Sequence, residues 1–175
     1  MASNLCELQS KLNYQFQCIQ LLTNALTHCS SDEYRANVDE GRQLLIKLSH
    51  RLSNDVHLAC EDRIKLEIAI SSDEVLHMTC DKLLLNSYII GIDESLDLTS
   101  THTIEHYLLI LQSIMLDQDG DEEKVEQVVR KTLLDIAYLI CERPIQAPLS
   151  VISLIEAREK WNENSTSDDE GQDFE

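Results

Sequence analysis

Two histidines and a glutamate share one short stretch, His102-Thr-Ile-Glu105-His106. On a helix, residues four apart lie on one face. Both imidazoles could therefore grip a zinc ion while the glutamate moves a proton, as in the inverted zinc-peptidase pattern. That chemistry needs a third, carboxylate ligand downstream, which Glu122 or Glu126 would supply. The plainer reading is the surface-lying first turn of a buried helix, since so short a match arises readily by chance. A second acidic motif, Asp117-Gln-Asp-Gly-Asp121, has the look of a calcium loop. Such a loop needs glycine at its sixth position and glutamate at its twelfth, and Glu122 and Val128 stand there instead. It reads as a turn between helices. Six cysteines (Cys6, Cys18, Cys29, Cys60, Cys80, Cys141) never approach CxxC spacing, so small buried thiols in a reducing compartment are expected rather than a zinc knuckle.

The elements that would position these groups are helical. Only four Gly and two Pro interrupt 175 residues that are 43% hydrophobic, a composition suited to long helices and a sizeable core. Ser3 or Asn4 could cap a first helix ending at Asn13-Tyr14, and a second carries Ile19, Leu22 and Leu26 on one face. A polar loop is expected from Ser30 to Asn37. Leu44, Leu45, Leu48 and Leu52 then recur at helical spacing, and residues 56–79 hold two or three more helices. A helix through Lys82–Ile90 would stop at Gly91, with Ile92, Leu96 and Leu98 packing back on it. Ile104 to Leu116 is apolar nearly all round and so reads as a buried helix, and Glu122 to Cys141 as another. Pro144 ends that run and Pro148 opens a last helix to Trp161. The expected organisation is a body over 1–145, a helix over 146–161 and a disordered acidic tail over 162–175, where Ser167-Asp-Asp-Glu170 would suit an acidophilic kinase.

The formal net charge is −18. The tail holds six acids and no Lys or Arg, so the body sets 26 acids against all 14 bases, a charge of −12. A field of that sign repels phosphate backbones, and no basic patch offsets it, so direct nucleic-acid binding should be weak or absent. No apolar run approaches the roughly 20 residues that span a bilayer, and Glu7 precedes any Arg, unlike a mitochondrial presequence. A cytoplasmic or nuclear location is expected.

Residues 5–30, LCELQSKLNYQFQCIQLLTNALTHCS, resemble the opening of a ribonuclease III domain. Leu8, Leu12, Tyr14, Phe16, Leu21, Leu22, Ala25, Leu26, Thr27, His28 and Ser30 fall in register without a gap. A second, less specific likeness lies at Lys82–Leu98, and Ser113-Ile-Met-Leu-Asp117 is similar to the end of the family's second acidic motif. The resemblance implies an all-α fold of seven to nine helices and pairing of two such domains across one valley. It also implies Mg²⁺ held by four carboxylates from two helices, where the metal activates water for cleavage of double-stranded RNA.

The acids themselves are largely gone. Counted from His28 without a gap, Glu40 takes the first glutamate position and Leu44 the first aspartate position; with one inserted residue these become Gly41 and Leu45. Counted back from Asp117, Glu105 takes the second aspartate position and Leu108 the second glutamate position, while Gln112 and Ser113 stand where glycines usually allow close backbone approach. Leucine cannot ligate an ion, and an ion beside it would keep an uncompensated charge. Glu40 and Glu105 are the only vestigial candidates, so a catalytically inactive pseudoenzyme without a cofactor is expected. Leu44, Leu48, Leu108, Leu111 and Met115 are the candidate interface residues. The expected role is a dimerising scaffold or regulatory subunit in RNA processing or silencing, as a homodimer or paired with an active ribonuclease III-like protein. One alternative is a residual Mg-dependent nuclease whose site a partner completes. Another is a protein-facing subunit of a ribonucleoprotein. His28 is expected to be a packing or capping residue of the inherited fold.

Overall fold

Side-chain caps and apolar spacing decide where each helix starts and stops. The computed structural model describes residues 2–28, 31–55, 58–90 and 100–142. Within them lie eight α-helices: α1 (Ala2–Leu12), α2 (Ile19–Leu26), α3 (Asp32–Asn54), α4 (Cys60–Ser71), α5 (Asp73–Leu83), α6 (Ser100–Asp117), α7 (Glu122–Thr132) and α8 (Leu134–Cys141). The only extended pairing among the described residues is an isolated parallel bridge between Thr27 and Ile90. The chain divides at Arg143, and the described residues all belong to the first unit. The expected helix at 146–161 and the tail at 162–175 lie outside the described residues.

Helix α6 is the hub, touching α2, α3, α5 and α7. Ile104, Tyr107, Leu108, Leu109, Ile110, Leu111 and Ile114 are all buried, which matches the expectation of a helix apolar nearly all round. Each such side chain contributes about 2 kcal/mol by leaving water, so this helix anchors the core. Tyr107 is fully buried, and its hydroxyl meets the Thr132 hydroxyl at 2.7 Å, joining α6 to α7. Burial raises the Tyr107 pKa far above the ordinary phenol value, so it remains a neutral bridge.

Several boundaries differ from the sequence expectation, each for a physical reason. Ser3 and Asn4 lie inside α1, which starts at Ala2, so neither caps it. Ile19 is exposed at the first position of α2, and the buried face is Leu22, Ala25 and Leu26. Within the expected loop at Ser30–Asn37, residues 32–37 instead open α3, and Ser30 lies outside the described residues: Ser31 accepts from the Tyr34 N–H, and Asp32 and Glu33 favour the positive end of the helix dipole. Residues 122–141 form two helices because the chain turns at Leu133, which is itself buried, and α8 then packs on α4 and α5. Near the second likeness, α5 ends at Leu83, and Leu84 takes the left-handed conformation (φ 56°) expected of a cap glycine. Lys11 braces this end by donating to the Leu83 carbonyl and the Tyr88 hydroxyl. Gly91, Ile92, Leu96 and Leu98 lie outside the described residues.

The cysteines also depart from expectation. The five that are described are free thiols, and Cys6, Cys18 and Cys60 are exposed. Only Cys80 is fully buried, its thiol pushed up to about 12 by burial. No helix among the described residues is long and apolar enough to cross a membrane.

Candidate functional site: the seam between α3 and α6

The two helices that would carry the acidic motifs do lie side by side, α3 against α6. Their backbones come close at Gly41. A Cβ built there would fall 2.3 Å from the Leu108 carbonyl oxygen, far inside any tolerated contact, so only glycine lets the backbones meet this closely. Around that point the seam is apolar. Leu48, Leu108 and Leu111 are fully buried, with Leu44 at 8% and Leu45 at 1% exposure. Gln112 and Ser113 on α6 stand where the resemblance would place glycines, and the close backbone approach is made by Gly41 on α3.

Polar groups gather at the flanks. The Gln112 amide donates to the Glu40 carboxylate at 2.6 Å, and the Tyr34 hydroxyl donates to Glu105 at 3.3 Å. Glu40 therefore faces Gln112 while Glu105 faces Tyr34. Glu105 and Gln112 are seven residues apart, about 10 Å along the α6 axis. Glu40 and Glu105 thus each accept from an uncharged donor of their own.

The interface candidates need correcting in the same terms. Leu44, Leu48, Leu108 and Leu111 lie in the single chain's own core, so their side chains are already covered before any partner arrives. Met115 alone is partly exposed. It sits beside Leu116, which is 56% exposed, and Ile19 follows Cys18 on the adjoining segment. These two stretches meet through Asp117, which accepts from the Tyr14 hydroxyl (2.6 Å), the Gln17 N–H (2.8 Å) and the Cys18 N–H (2.8 Å). Burial pushes the Asp117 pKa up, but the bonds from Tyr14, Cys18 and Gln17 outweigh it and leave the carboxyl below its ordinary value. Sequence reasoning read Asp117 as part of an acidic turn and missed this anchoring role. The signal was available, because Tyr14 and Asp117 belong to separate motifs of one resemblance.

The zinc-peptidase ligand set does not assemble. Glu122 pairs with Lys47 and Arg51, and Glu126 with Arg51 and Arg130, along the far half of α3. His106 lies beside Tyr34 at the near end, about 20 Å away measured along α3. Instead the third imidazole near His102 and His106 is His28, which sequence reasoning assigned to packing. Its backbone N–H donates to the Ile90 carbonyl, and its ring meets those of Tyr34, His102 and His106 edge-on. Among the described residues, no group of three or more His, Cys, Asp or Glu side chains could hold a metal ion.

No protein-family model matches this sequence, and no curated protein is similar to it. Among solved structures, the chain is similar to the nuclease domain of ribonuclease III from Campylobacter jejuni, with a TM-score of 0.57 and 18% identity over 76% of this chain and 97% of that one. That protein is described as structurally flexible in a region involved in dimer formation. The fold is therefore all-helical and like that of a ribonuclease III nuclease domain.

Proposed function

We propose that this chain is a non-catalytic ribonuclease III-like domain, a pseudoenzyme that serves as a dimerising scaffold or regulatory subunit in RNA processing or silencing. The partner would be a second copy or an active ribonuclease III-like protein. One observation carries the reading: where a metal-binding valley would need carboxylates, Gly41 rests on the Leu108 backbone and leucines fill the seam. A divalent ion there would lose its hydration and find no oxygen ligands in return. Glu40 and Glu105, the residual candidates, are held by separate donors. These residues do not fit a Mg²⁺ centre.

Pairing is carried over from the C. jejuni neighbour, which is described as dimer-forming. With the leucines of the seam committed to the core, the pairing face would centre on Met115, Leu116 and Ile19. The body's acidity favours a protein partner over RNA.

Purified full-length protein should leave a long RNA duplex intact in Mg²⁺ or Mn²⁺. Cleavage that disappears with Glu40→Ala or Glu105→Ala would overturn the reading in favour of a residual nuclease. Leu116→Arg should reduce self-association, or the recovery of a ribonuclease III-like partner, by at least tenfold. An unchanged sedimentation profile and unchanged partner recovery would remove the assigned face.

A further inference from the structure

The C-terminal end of α6 leaves apolar surface uncovered where the surrounding charge has one sign. Leu116 is 56% exposed and Ile19 45%, and Met115 is partly exposed beside Leu116. Polar contacts hold the two stretches together. Asp117 accepts from the Gln17 and Cys18 N–H groups, and the Ser113 hydroxyl donates to the Leu21 carbonyl at 3.4 Å. Beyond Leu116 the chain doubles back on the last turn of the helix. The Asp119 N–H donates to the Leu116 carbonyl at 3.4 Å, and the Gly120 N–H to the Met115 carbonyl at 2.9 Å. This turn sets Asp119 beside Leu116, with Asp121 and Glu123 next along the chain, and all three are exposed.

Bases are missing from the same surface. No Lys or Arg lies between Lys11 and Arg35, a stretch that contains α2, or between Lys82 and Lys124, a stretch that contains α6. Lys47 and Arg51 come from α3 only to pair with Glu122. Lys124 is the single base that this turn and the first residues of α7 set against Asp119, Asp121 and Glu123. Two-fold pairing of a chain with itself sets one patch against the same patch, so each acidic rim would meet the other. Like charges across an interface penalise a partner, whereas a rim of opposite charge steers and selects one. With three apolar side chains at its centre, this face depends on its rim. Other faces of a second copy answer it poorly, since Arg42, Arg51 and Arg130 are paired with the chain's own acids.

We propose that the face around Leu116 and Ile19 takes a different protein rather than a second copy, one that presents an apolar ridge flanked by Lys or Arg. This rests on the pairing face assigned above and narrows its occupant by charge.

The probe is a synthetic amphipathic helix with leucines along one face and lysines beside them, compared with a twin whose lysines are glutamates. Titrated into the full chain, the lysine helix should bind at least tenfold more tightly than its twin, and less tightly as salt rises. Leu116→Ser should weaken that binding at least tenfold. Asp119→Asn, Asp121→Asn and Glu123→Gln together should weaken it at least fivefold. Neutralising three exposed acids elsewhere, by Glu33→Gln, Asp39→Asn and Asp135→Asn, should change it less than twofold. Asparagine suits both the left-handed backbone at 119 and the helix cap at 121, so the rim variant keeps the fold. The unmodified chain should show no self-association that Leu116→Ser removes. No binding of the lysine helix, equal binding of the two helices, or equal losses from the two triple variants would each overturn the choice of partner. A dimer that Leu116→Ser dissociates would overturn it too, while upholding the pairing face itself. Tight binding of the lysine helix untouched by Leu116→Ser would remove the face, and the choice of partner with it.

Discussion

The middle of α6 and its C-terminal end solve the same problem in opposite ways. At the middle, Leu108 meets Gly41 backbone to backbone, and stability comes from removing apolar surface and from close approach. At the end, Asp117 is a half-buried acid that survives because three donors converge on it. The difference shows what lets a carboxylate persist in this chain. Both partly buried acids here have a donor facing them, Tyr14, Gln17 and Cys18 at Asp117 and Tyr34 at Glu105, whereas Glu40 is exposed and accepts from Gln112 at the surface. Where no donor reaches, at Leu45 and Leu108, the side chains are apolar and the helices close on each other.

The comparison breaks most sharply if an acid is introduced into the middle. Leu108→Glu would bury a charge with no partner and should cost about 3–5 kcal/mol, the penalty typical of an uncompensated buried ion. Gly41→Ala should cost about 2–3 kcal/mol, because its Cβ meets backbone that cannot swing aside. Urea unfolding measures both, and a Leu108→Glu protein as stable as the parent would mean that the seam is open to water. At the other end, Asp117→Ala should cost about 2 kcal/mol, since exposed or half-buried charge-assisted bonds fall short of their buried worth. Its pH dependence follows from the sign of the shift. The folded-state pKa is lowered, so the contribution is complete above the unfolded-state value of about 3.9 and is lost as pH falls through the lower folded-state value. Parent and Asp117→Asn should therefore converge in stability in strong acid; a constant gap down to pH 2 would assign the effect to packing. The smallest effect belongs to the surface. Arg51→Ala removes ion pairs to Glu122 and Glu126 and should cost about 0.5–1 kcal/mol, shrinking in high salt.

Much of the fold was legible in the residues. The spacing of Leu44, Leu45, Leu48 and Leu52 specified a buried face on α3, and the unbroken apolar run from Ile104 specified a central helix, because burial leaves a periodic mark on the sequence. The register from Leu8 to His28 led to a fold that a solved structure resembles. Boundaries were less legible. The polar run Ser30–Asn37 looked like a loop because the local signal cannot tell a solvated first turn from a coil. Likewise, Leu84 adopts the conformation that sequence logic reserved for Gly91.

The candidate site divides in the same manner. That leucine stands at 44, 45 and 108, where no metal could be ligated, is a property of side-chain identity, and the sequence by itself determined it. Only the tertiary structure decided which leucines are core rather than interface, which donor faces each remaining acid, and that His28 joins His102 and His106. Those facts depend on distances between residues far apart in the chain, and such distances are set by helix packing, which no local pattern of residue types encodes.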